Sequence, residues 1–316
     1  MSEDWRPDVL GAPYESRTLP LTPDSEGPAV ATLVRRLVPG GEARGAVLHV
    51  HGFADYFFQT GLAQWWVDRG WDFYAVDLRA YGRSWLPHQT PTYVADLRTY
   101  DEDLDAAVAV IGDDRPLVLS GHSTGGLVVP LWWRRRPALP VIGCVLNSPW
   151  LELRGPSWQR TVGTRLIDVV GRVDPRRVLE REVSGNYARS LHRDHDGEWD
   201  FDLTWKPLDS FPTRFGWLRA IRRAHAELHR GLDLAAPVLV LGSDRTGSDV
   251  VMGPEVFETD VVLDVEQIRR WTPALGRHVT LAQVPGAMHD VYLSRAPGRD
   301  HVYAELDRWV GAYVDR

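Results

Sequence analysis

The chain alternates short apolar runs with segments whose apolar residues recur at helical spacing. Near-continuous apolar runs, typical of buried strands, lie at 29–38, 45–52, 71–77, 116–120, 140–148, 236–243 and 278–284. Segments with helical spacing lie at 61–70, 96–112, 264–276 and 299–314, and a further helix is predicted to begin near Thr124. Buried strands that alternate with helices predict an α/β fold, with a mostly parallel central sheet flanked by helices on both faces.

Two parts of the chain do not follow this alternation. Residues 1–28 are rich in proline, glycine, aspartate and serine, and we predict an irregular N-terminal arm there. Residues 150–232 are polar and rich in arginine and tryptophan, with helical patches but no convincing buried strand. We therefore predict one core domain, formed by 29–149 and 233–316, that is interrupted by an insertion of about 80 residues.

Composition and charge narrow the range of functions. The 316 residues are 44% hydrophobic and 25% charged, which is ordinary for a soluble globular protein. The formal net charge of −7 argues against nucleic acid as the main partner. Cys144 is the single cysteine, so no intrachain disulfide is possible. Because the sequence has neither a signal-peptide pattern nor an apolar stretch long enough to span a membrane, we predict a cytoplasmic protein with no integral membrane segment.

The stretch Gly121-His122-Ser123-Thr124-Gly125 matches the pattern G-x-S-x-G, and it lies between a predicted strand and a predicted helix. In that context a sharp turn exposes the serine oxygen at the carboxyl edge of the sheet, and the flanking glycines leave room for neighbouring backbone. The amides that begin the following helix point to the same place. We predict that Ser123 is a nucleophile; the alternative is a plain tight turn.

A serine nucleophile needs a general base, which in this architecture is a histidine late in the chain. His289 lies in a glycine-containing loop directly after the last predicted strand, which places it at the carboxyl edge near Ser123. His278 begins that strand and belongs at the opposite edge, and His301 lies on the final helix. We therefore predict that His289 is the base; the alternative is a surface-loop histidine.

The acid that orients the base should follow the predicted strand at 236–243. Asp244 comes directly after this strand, whereas Asp260 comes later, just before a predicted helix, and Asp249 lies in the loop between them. The end of the preceding strand, Asn147-Ser148, offers no carboxylate. The strand positions alone leave both Asp244 and Asp260 open as the acid.

Two stretches of the sequence carry a resemblance to a known family. HVHGFADYFFQTGLAQWWVDRGWDFYAVDLRAYGRS and the later GHSTGG resemble the monoacylglycerol lipase, lysophospholipase and serine aminopeptidase-like branch of the α/β-hydrolase superfamily. The resemblance extends over roughly 45–315 and implies an α/β-hydrolase fold with a helical cap at 150–232. In similar sequences the first aspartate of a D-x-V-L-D-V stretch is the triad acid. Asp260 begins the matching DVVLDV here, so the resemblance favours Asp260 over Asp244.

An oxyanion hole requires two backbone amides aimed where negative charge develops. The residue after the nucleophile, Thr124, is predicted to supply one of them. His51-Gly52-Phe53 resembles the His-Gly-x turn of the family, which implies that the Phe53 amide supplies the other. The sequence departs from the family pattern just beyond this turn, where Ala54-Asp55-Tyr56 replaces the commoner continuation with Glu-His.

The predicted cap is unusually rich in tryptophan, whose side chains offer large apolar contact area for an acyl or aryl group. The alternative is that these rings form the small core of the insertion itself. The residues concerned are Trp150, Trp158, Trp199, Trp205 and Trp217. A group of histidines and aspartates at 192–196 has no standard metal-ligand spacing, and we predict a solvated loop there rather than a metal site.

Together these features predict a serine hydrolase that cleaves carboxylic esters with small to medium acyl groups, in the manner of a carboxylesterase or lipase. Its predicted partner is a small-molecule ester, and the mechanism implies no cofactor. An amidase or peptidase, or an acyltransferase, would use the same residues. A ligand receptor without catalysis on the same fold is a further alternative of a different class.

Overall fold

The computed structural model describes residues 4–155, 157–180 and 183–315, without the side chains of 157–161. Within these residues, nine strands form one sheet in the order β1-β2-β3-β5-β4-β6-β7-β8-β9. In chain order the strands are β1 (Arg6–Pro7), β2 (Glu15–Asp24), β3 (Gly27–Arg36), β4 (Ala46–Val50), β5 (Asp72–Asp77), β6 (Leu117–His122), β7 (Val141–Asn147), β8 (Val238–Ser243) and β9 (Val279–Val284).

The strands from β4 onward run parallel to one another, and β3, β2 and β1 extend the sheet beyond β5 in antiparallel pairs. The helices are α1 (Thr60–Val67), α2 (Tyr100–Ile111), α3 (Gly125–Arg134), α4 (Ser157–Val173), α5 (Asn186–Leu191), α6 (Phe215–Leu228), α7 (Pro254–Glu258), α8 (Val265–Trp271) and α9 (Ala296–Tyr313). This arrangement confirms the mostly parallel central sheet that the hydrophobic pattern predicts.

Alternation along the strands divides the core between the two faces of the sheet. In β4, Leu48 packs in a cluster that also contains buried side chains of α2, α3 and α6. Val47 points to the other face, where it joins buried side chains of α1 and α9. Because successive side chains of a strand point to opposite faces, a strand covered by helices on both sides must be apolar at nearly every position.

The N-terminal residues differ from the irregular arm that we predicted for 1–28. Glu15–Asp24 forms β2, which pairs with β3 over most of its length and buries Leu19 and Leu21. The prolines of β2 are untypical of a strand, because proline has no backbone N–H to donate to a neighbouring strand. β1 pairs only with Glu15 and Ser16, so the remainder of β2 is an edge strand, where proline is tolerated.

The residues between β7 and β8, here called the insertion segment (150–232), contain α4, α5 and α6. Among the described residues, no strand of the central sheet lies in this segment. Trp217 and Ile221 of α6 are buried in the same cluster as α2 and α3, so part of the insertion segment shares the core of the sheet. The separation into core and cap remains a prediction.

No helix within the described residues combines the length and the apolar character that a membrane-spanning helix needs.

The packing of β2 yields a stability prediction. Leu19→Ala removes a buried side chain and leaves a cavity beside β3, so we expect a loss of about 2–4 kcal/mol in the free energy of unfolding. Urea denaturation followed by tryptophan fluorescence measures this loss. Val9→Ala is the matched control because Val9 is 72% exposed. If both variants unfold at the same urea concentration as the wild type, β2 does not belong to the cooperative core.

Candidate active site

The three residues predicted to form a triad lie at one edge of the sheet. Ser123 follows β6, Asp260 lies in the connection after β8, and His289 lies in the loop after β9. β6, β7, β8 and β9 are consecutive parallel neighbours. Because parallel strands end at the same edge, these loops meet there although the residues are far apart in sequence.

The turn between β6 and α3 holds Ser123 in a strained backbone conformation. Its φ is +53°, in the left-handed region that non-glycine residues rarely adopt. A side chain at Gly125 would overlap the carbonyl oxygens of Val50 and His51, so the backbone there lies directly against the end of β4. A Cβ at Gly121 would lie 2.6 Å from the carbonyl oxygen of Gly125. The glycines flanking the serine are therefore required by close packing.

A continuous chain of hydrogen bonds connects the three side chains. Ser123 Oγ lies 3.0 Å from His289 Nε2, and His289 Nδ1 lies 2.9 Å from Asp260 Oδ2. A carboxylate only accepts hydrogen bonds, so Nδ1 carries the proton and Nε2 is left to accept from the serine hydroxyl. All three residues are buried. The arrangement has the geometry of a nucleophile, a base and an orienting acid.

The surroundings of Asp260 explain why it, and not Asp244, reaches the histidine. Asp260 pairs with Thr246 in an isolated parallel bridge, which brings the chain back to the edge of the sheet beside β8. Its Oδ1 accepts hydrogen bonds from the amides of Val262 and Leu263, at 2.9 and 2.7 Å. Asp244 is bonded through its backbone carbonyl to Arg269 instead. The structure thus brings Asp260 to His289.

The two residues predicted to supply the oxyanion amides lie close to Ser123. Thr124 follows Ser123, and Phe53 lies in the loop after β4, where a Cβ on the preceding Gly52 would be 3.1 Å from Ser123 Cβ. Neither the Phe53 amide nor the Thr124 amide donates a hydrogen bond to another described residue. Both donors therefore remain available to a ligand oxygen.

Aromatic rings of the insertion segment contact the loop that carries Phe53. The ring centroids of Phe53 and Trp217 are 4.3 Å apart, and those of Trp150 and Trp217 are 5.7 Å apart. The Trp150 amide donates to the carbonyl oxygen of Ser123 at 2.9 Å. On the other side, the Tyr187 ring lies 5.7 Å from the His289 ring. Aromatic residues of the segment thus contact the Phe53 loop, the backbone of Ser123 and the ring of His289.

The remaining tryptophans of the insertion segment have other surroundings. Trp205 packs edge-on to Tyr56, and Trp199 donates to the carbonyl oxygen of Leu293 at 2.8 Å, so both contact the core domain. The side chain of Trp158 lies outside the described residues. Trp199 and Trp205 therefore pack in a cluster shared with residues outside the segment, which differs from the alternative of a small core within the insertion itself.

The 192–196 group differs in part from the solvated loop that we predicted. Asp194, His195 and Asp196 are exposed, but His192 is buried and its Nε2 lies 3.1 Å from the carbonyl oxygen of Phe201. This histidine therefore serves the packing of the insertion segment.

A second serine–histidine pair lies inside the sheet. His49 Nδ1 is 3.0 Å from Ser120 Oγ, and both residues are buried within β4 and β6. Burial lowers the pKa of His49 to about 3, so its imidazole is neutral at ordinary pH. The pair lies within the strands rather than at the carboxyl edge, and we interpret it as a structural hydrogen bond.

Sequence reasoning missed a buried charged group directly behind the candidate triad. Asp55, His122 and Asp290 each offer one atom within 4.8 Å of the others, a grouping that suits a metal ion. The Lys206 ammonium, 2.9 Å from Asp55, already supplies positive charge to this group. The one indication of this buried group in the sequence is Asp55, which lies where the chain departs from the family pattern.

The fold and the serine turn define the class of the protein. A mostly parallel sheet, helices on both faces and a strand-to-helix serine turn at the carboxyl edge constitute the α/β-hydrolase fold. The chain belongs to the serine aminopeptidase S33 family, whose model matches residues 41–295.

Solved structures with the same fold include lipases and esterases. A soluble variant of monoglyceride lipase from Saccharomyces cerevisiae, in complex with a substrate analogue, has a TM-score of 0.66 at 18% identity, covering 92% of this chain and 93% of that one. Monoacylglycerol lipase from Paleococcus ferrophilus has a TM-score of 0.64 at 23% identity, covering 88% and 98%. A thermophilic esterase from Thermogutta terrifontis has a TM-score of 0.57 at 18% identity, covering 94% and 98%. No curated protein matches the sequence.

The close approach at the serine turn can be tested by adding one methyl group. Gly125→Ala would press a Cβ into the carbonyls that end β4, so we expect a loss of more than about 2 kcal/mol in unfolding free energy or insoluble protein. Thermal unfolding and soluble yield measure the effect. Gly242→Ala is the control, because a Cβ there meets nothing within 4 Å. Equal stability of the two variants would contradict the packing described for the turn.

Proposed function

We propose that the protein is a serine hydrolase that cleaves carboxylic esters through an acyl-enzyme. The observation that carries the proposal is the hydrogen-bonded chain from Ser123 Oγ through His289 to Asp260. Ser123 attacks the acyl carbon while His289 Nε2 takes its proton, and the carboxylate of Asp260 stabilises the imidazolium that results. The chain of contacts favours this order of events because each donor already faces its acceptor.

The free amides of Phe53 and Thr124 support stabilisation of the tetrahedral intermediate. They would donate to the oxyanion, which bears the negative charge that the attack creates. His289 then returns the proton to the leaving alcohol, and the acyl group stays on Ser123. Water attacks the acyl-enzyme with His289 again as base, and releases the carboxylic acid. These steps require no cofactor.

The aromatic rings near the serine turn support an apolar acyl group, and we propose one of small to medium size. Phe53, Trp150 and Trp217 offer apolar rings beside the serine turn, and such rings bind acyl or aryl groups by contact area. Several structures of the same fold carry names that include monoglyceride lipase and esterase, which agrees with an ester substrate. The family name includes an aminopeptidase, so amide substrates belong in any test.

The first test compares initial rates on p-nitrophenyl acetate, butyrate and decanoate for the wild type and Ser123→Ala. We expect the substitution to lower kcat/KM by at least about 10³-fold, because the nucleophile is lost. Ser120→Ala is the control, since Ser120 is a buried serine on the same strand that contacts His49. It should keep nearly wild-type activity.

The same assay separates the alternatives. Equal rates for the wild type and Ser123→Ala would contradict a nucleophilic role for Ser123. Turnover of aminoacyl p-nitroanilides in preference to every ester would replace the esterase proposal with a peptidase. The chain-length profile of the active enzyme reports the size of the acyl pocket.

The identity of the acid is tested by a matched pair of variants. Asp260→Asn keeps the shape of the side chain but no longer holds the imidazole in the required tautomer, so we expect kcat to fall by about 10³–10⁴-fold. Asp244→Asn should leave kcat close to that of the wild type, because the Asp244 contact to Arg269 uses the backbone. Steady-state kinetics with p-nitrophenyl butyrate measure both. The reverse result would transfer the acid role to Asp244.

A further inference from the structure

Both peptides that are predicted to supply the oxyanion hole are held from their carbonyl ends. The Ser123 carbonyl and the Thr124 amide belong to one peptide unit. The Gly52 carbonyl and the Phe53 amide belong to another, and both units are trans. In a planar trans peptide the C=O and the N–H point in opposite directions, so a hydrogen bond that fixes the carbonyl also fixes the direction of the amide.

The Gly52 carbonyl is held by the residue that precedes it. His51 Nδ1 lies 2.8 Å from the Gly52 carbonyl oxygen. His51 Nε2 lies 3.1 Å from the Leu78 nitrogen, and a backbone amide can only donate, so Nε2 accepts and Nδ1 carries the proton. The direction of the Phe53 amide is therefore set by residues that directly follow β4 and β5.

The Ser123 carbonyl is held by the insertion segment instead. It accepts a hydrogen bond from the amide of Trp150, the first residue of that segment, at 2.9 Å. The Trp150 carbonyl oxygen in turn lies 2.9 Å from His225 Nε2, and His225 lies on α6. The direction of the Thr124 amide therefore depends on a backbone segment that α6 holds in place.

The neighbours of His225 determine which of its ring nitrogens carries the proton. The ring is buried, and a carbonyl only accepts, so Nε2 donates to Trp150. Arg222 Nη1 lies 3.1 Å from His225 Nδ1 and only donates, so Nδ1 accepts. Burial and the Arg222 charge lower the pKa of His225 well below its ordinary value, which agrees with a neutral ring. His225 is thus a neutral donor with both nitrogens engaged.

Arg222 extends this connection to a second helix of the insertion segment. Its Nε donates to Thr164 Oγ1 of α4 at 2.9 Å, and its Nη1 also bonds to the Glu152 carboxylate. A series of hydrogen bonds therefore runs from α4 through Arg222 and His225 to the backbone of the serine turn.

A second histidine of α6 makes the same kind of bond one residue further along the chain. His229 Nε2 lies 2.9 Å from the Leu151 carbonyl oxygen, and its ring stacks on Trp271 with the centroids 3.4 Å apart. The Leu151 carbonyl belongs to the next peptide unit, further from the contact with Ser123. His229 is therefore an internal comparison for His225, on the same helix and with the same type of acceptor.

We propose that His225, acting through the Trp150 backbone, is a positioning residue that aims the Thr124 amide at the oxyanion. The inference rests on the proposed function, in which this amide stabilises the tetrahedral intermediate. Oxyanion stabilisation depends on donors that are oriented before the charge develops, so a donor that turns away loses much of its effect. The insertion segment then contributes to transition-state stabilisation as well as to the surroundings of the acyl group.

The test compares His225→Asn with His225→Gln. The asparagine side chain retains an acceptor near the Nδ1 position for Arg222 but is too short to reach the Trp150 carbonyl. The glutamine side chain places an N–H close to the Nε2 position and can still donate to Trp150. Both variants are polar and neutral, so the bond to Trp150 is the main difference between them.

Inhibition by alkyl trifluoromethyl ketones, with chains that match the butyrate and decanoate esters, reports the oxyanion directly. Ser123 Oγ bonds to the ketone carbon, its proton passes to His289, and the ketone oxygen becomes the oxyanion. The inhibition constant is a property of the folded enzyme and does not depend on the folded fraction, whereas an apparent kcat does. The two measurements together separate a positioning role from a role in folding.

For His225→Asn we expect an inhibition constant about tenfold higher than that of the wild type, less than the roughly 10²-fold cost of losing a donor outright. The kcat on p-nitrophenyl butyrate should fall by about the same factor while KM changes by less than about twofold, because the oxyanion forms only in the transition state. His225→Gln should restore most of both values. His229→Asn is the control and should change the inhibition constant by less than about twofold.

An inhibition constant that stays at the wild-type value in folded His225→Asn would overturn the proposal, even if kcat falls. An equal increase in His229→Asn would overturn it as well. Failure of His225→Gln to restore inhibition would count against the hydrogen bond to Trp150. A wild type that the ketones inhibit but that turns over no ester would contradict the ester hydrolase proposal and leave the comparison of inhibition constants intact.

A second variant and a second measurement cover an asparagine variant that does not fold. His225→Leu has similar bulk and no donor, and we expect the same rise in the inhibition constant. In wild-type protein with ¹⁵N-labelled histidine, NMR assigned with His225→Gln should find the His225 proton on Nε2. A proton on Nδ1 alone would overturn the proposal, because Nε2 could then not donate to Trp150.

Discussion

The candidate site depends on one close approach, between the turn after β6 and the end of β4. The backbone at Gly125 lies against the carbonyls of Val50 and His51, so neither element can shift without the other. The approach coincides with the strained Ser123 backbone and the start of α3, and the loop that carries Phe53 lies beside the serine. Strain of this kind persists only where surrounding packing over-determines it, and two parallel strands and a helix do so here.

Much of the core and part of the site could be predicted because they follow from local pattern. Apolar runs gave the strands from β3 to β9 within a few residues, and parallel strands must bring their ends to one edge, which places Ser123 and His289 together. The acid was harder, because it lies well beyond the end of β8 and returns only through the bridge between Thr246 and Asp260. No hydrophobic periodicity predicts that the chain comes back to this edge of the sheet. The strand positions therefore left Asp244 and Asp260 as candidates for the acid, and the family resemblance favoured Asp260.

The features that could not be predicted from the sequence are a strand that contains prolines and a contact between residues distant in the chain. β2 contains prolines that suggest irregular chain, and its strand character comes from pairing with β3 and from burial of Leu19. The contact between Lys206 and Asp55 joins residues 151 positions apart, and neither residue alone indicates the other. A lone lysine among many arginines was visible in the composition, but composition does not tell a buried cation from an exposed one.

The insertion segment contacts the core in two physically different ways. Trp217 meets Phe53 by ring contact, which is non-directional and tolerates small displacements. Lys206 meets Asp55 by a buried ion pair, which does not, because separation would leave each charge unpaired in an apolar setting. Tyr56 adds a directional bond on the same side, since its hydroxyl accepts from the Asp202 amide at 2.7 Å. The residues around 202–206 are therefore held to the core by directional polar contacts, whereas Trp217 is held by ring contact, and the ion pairs that join α6 to the core, from Glu227 to Arg135 and Arg98, lie at the far end of the helix.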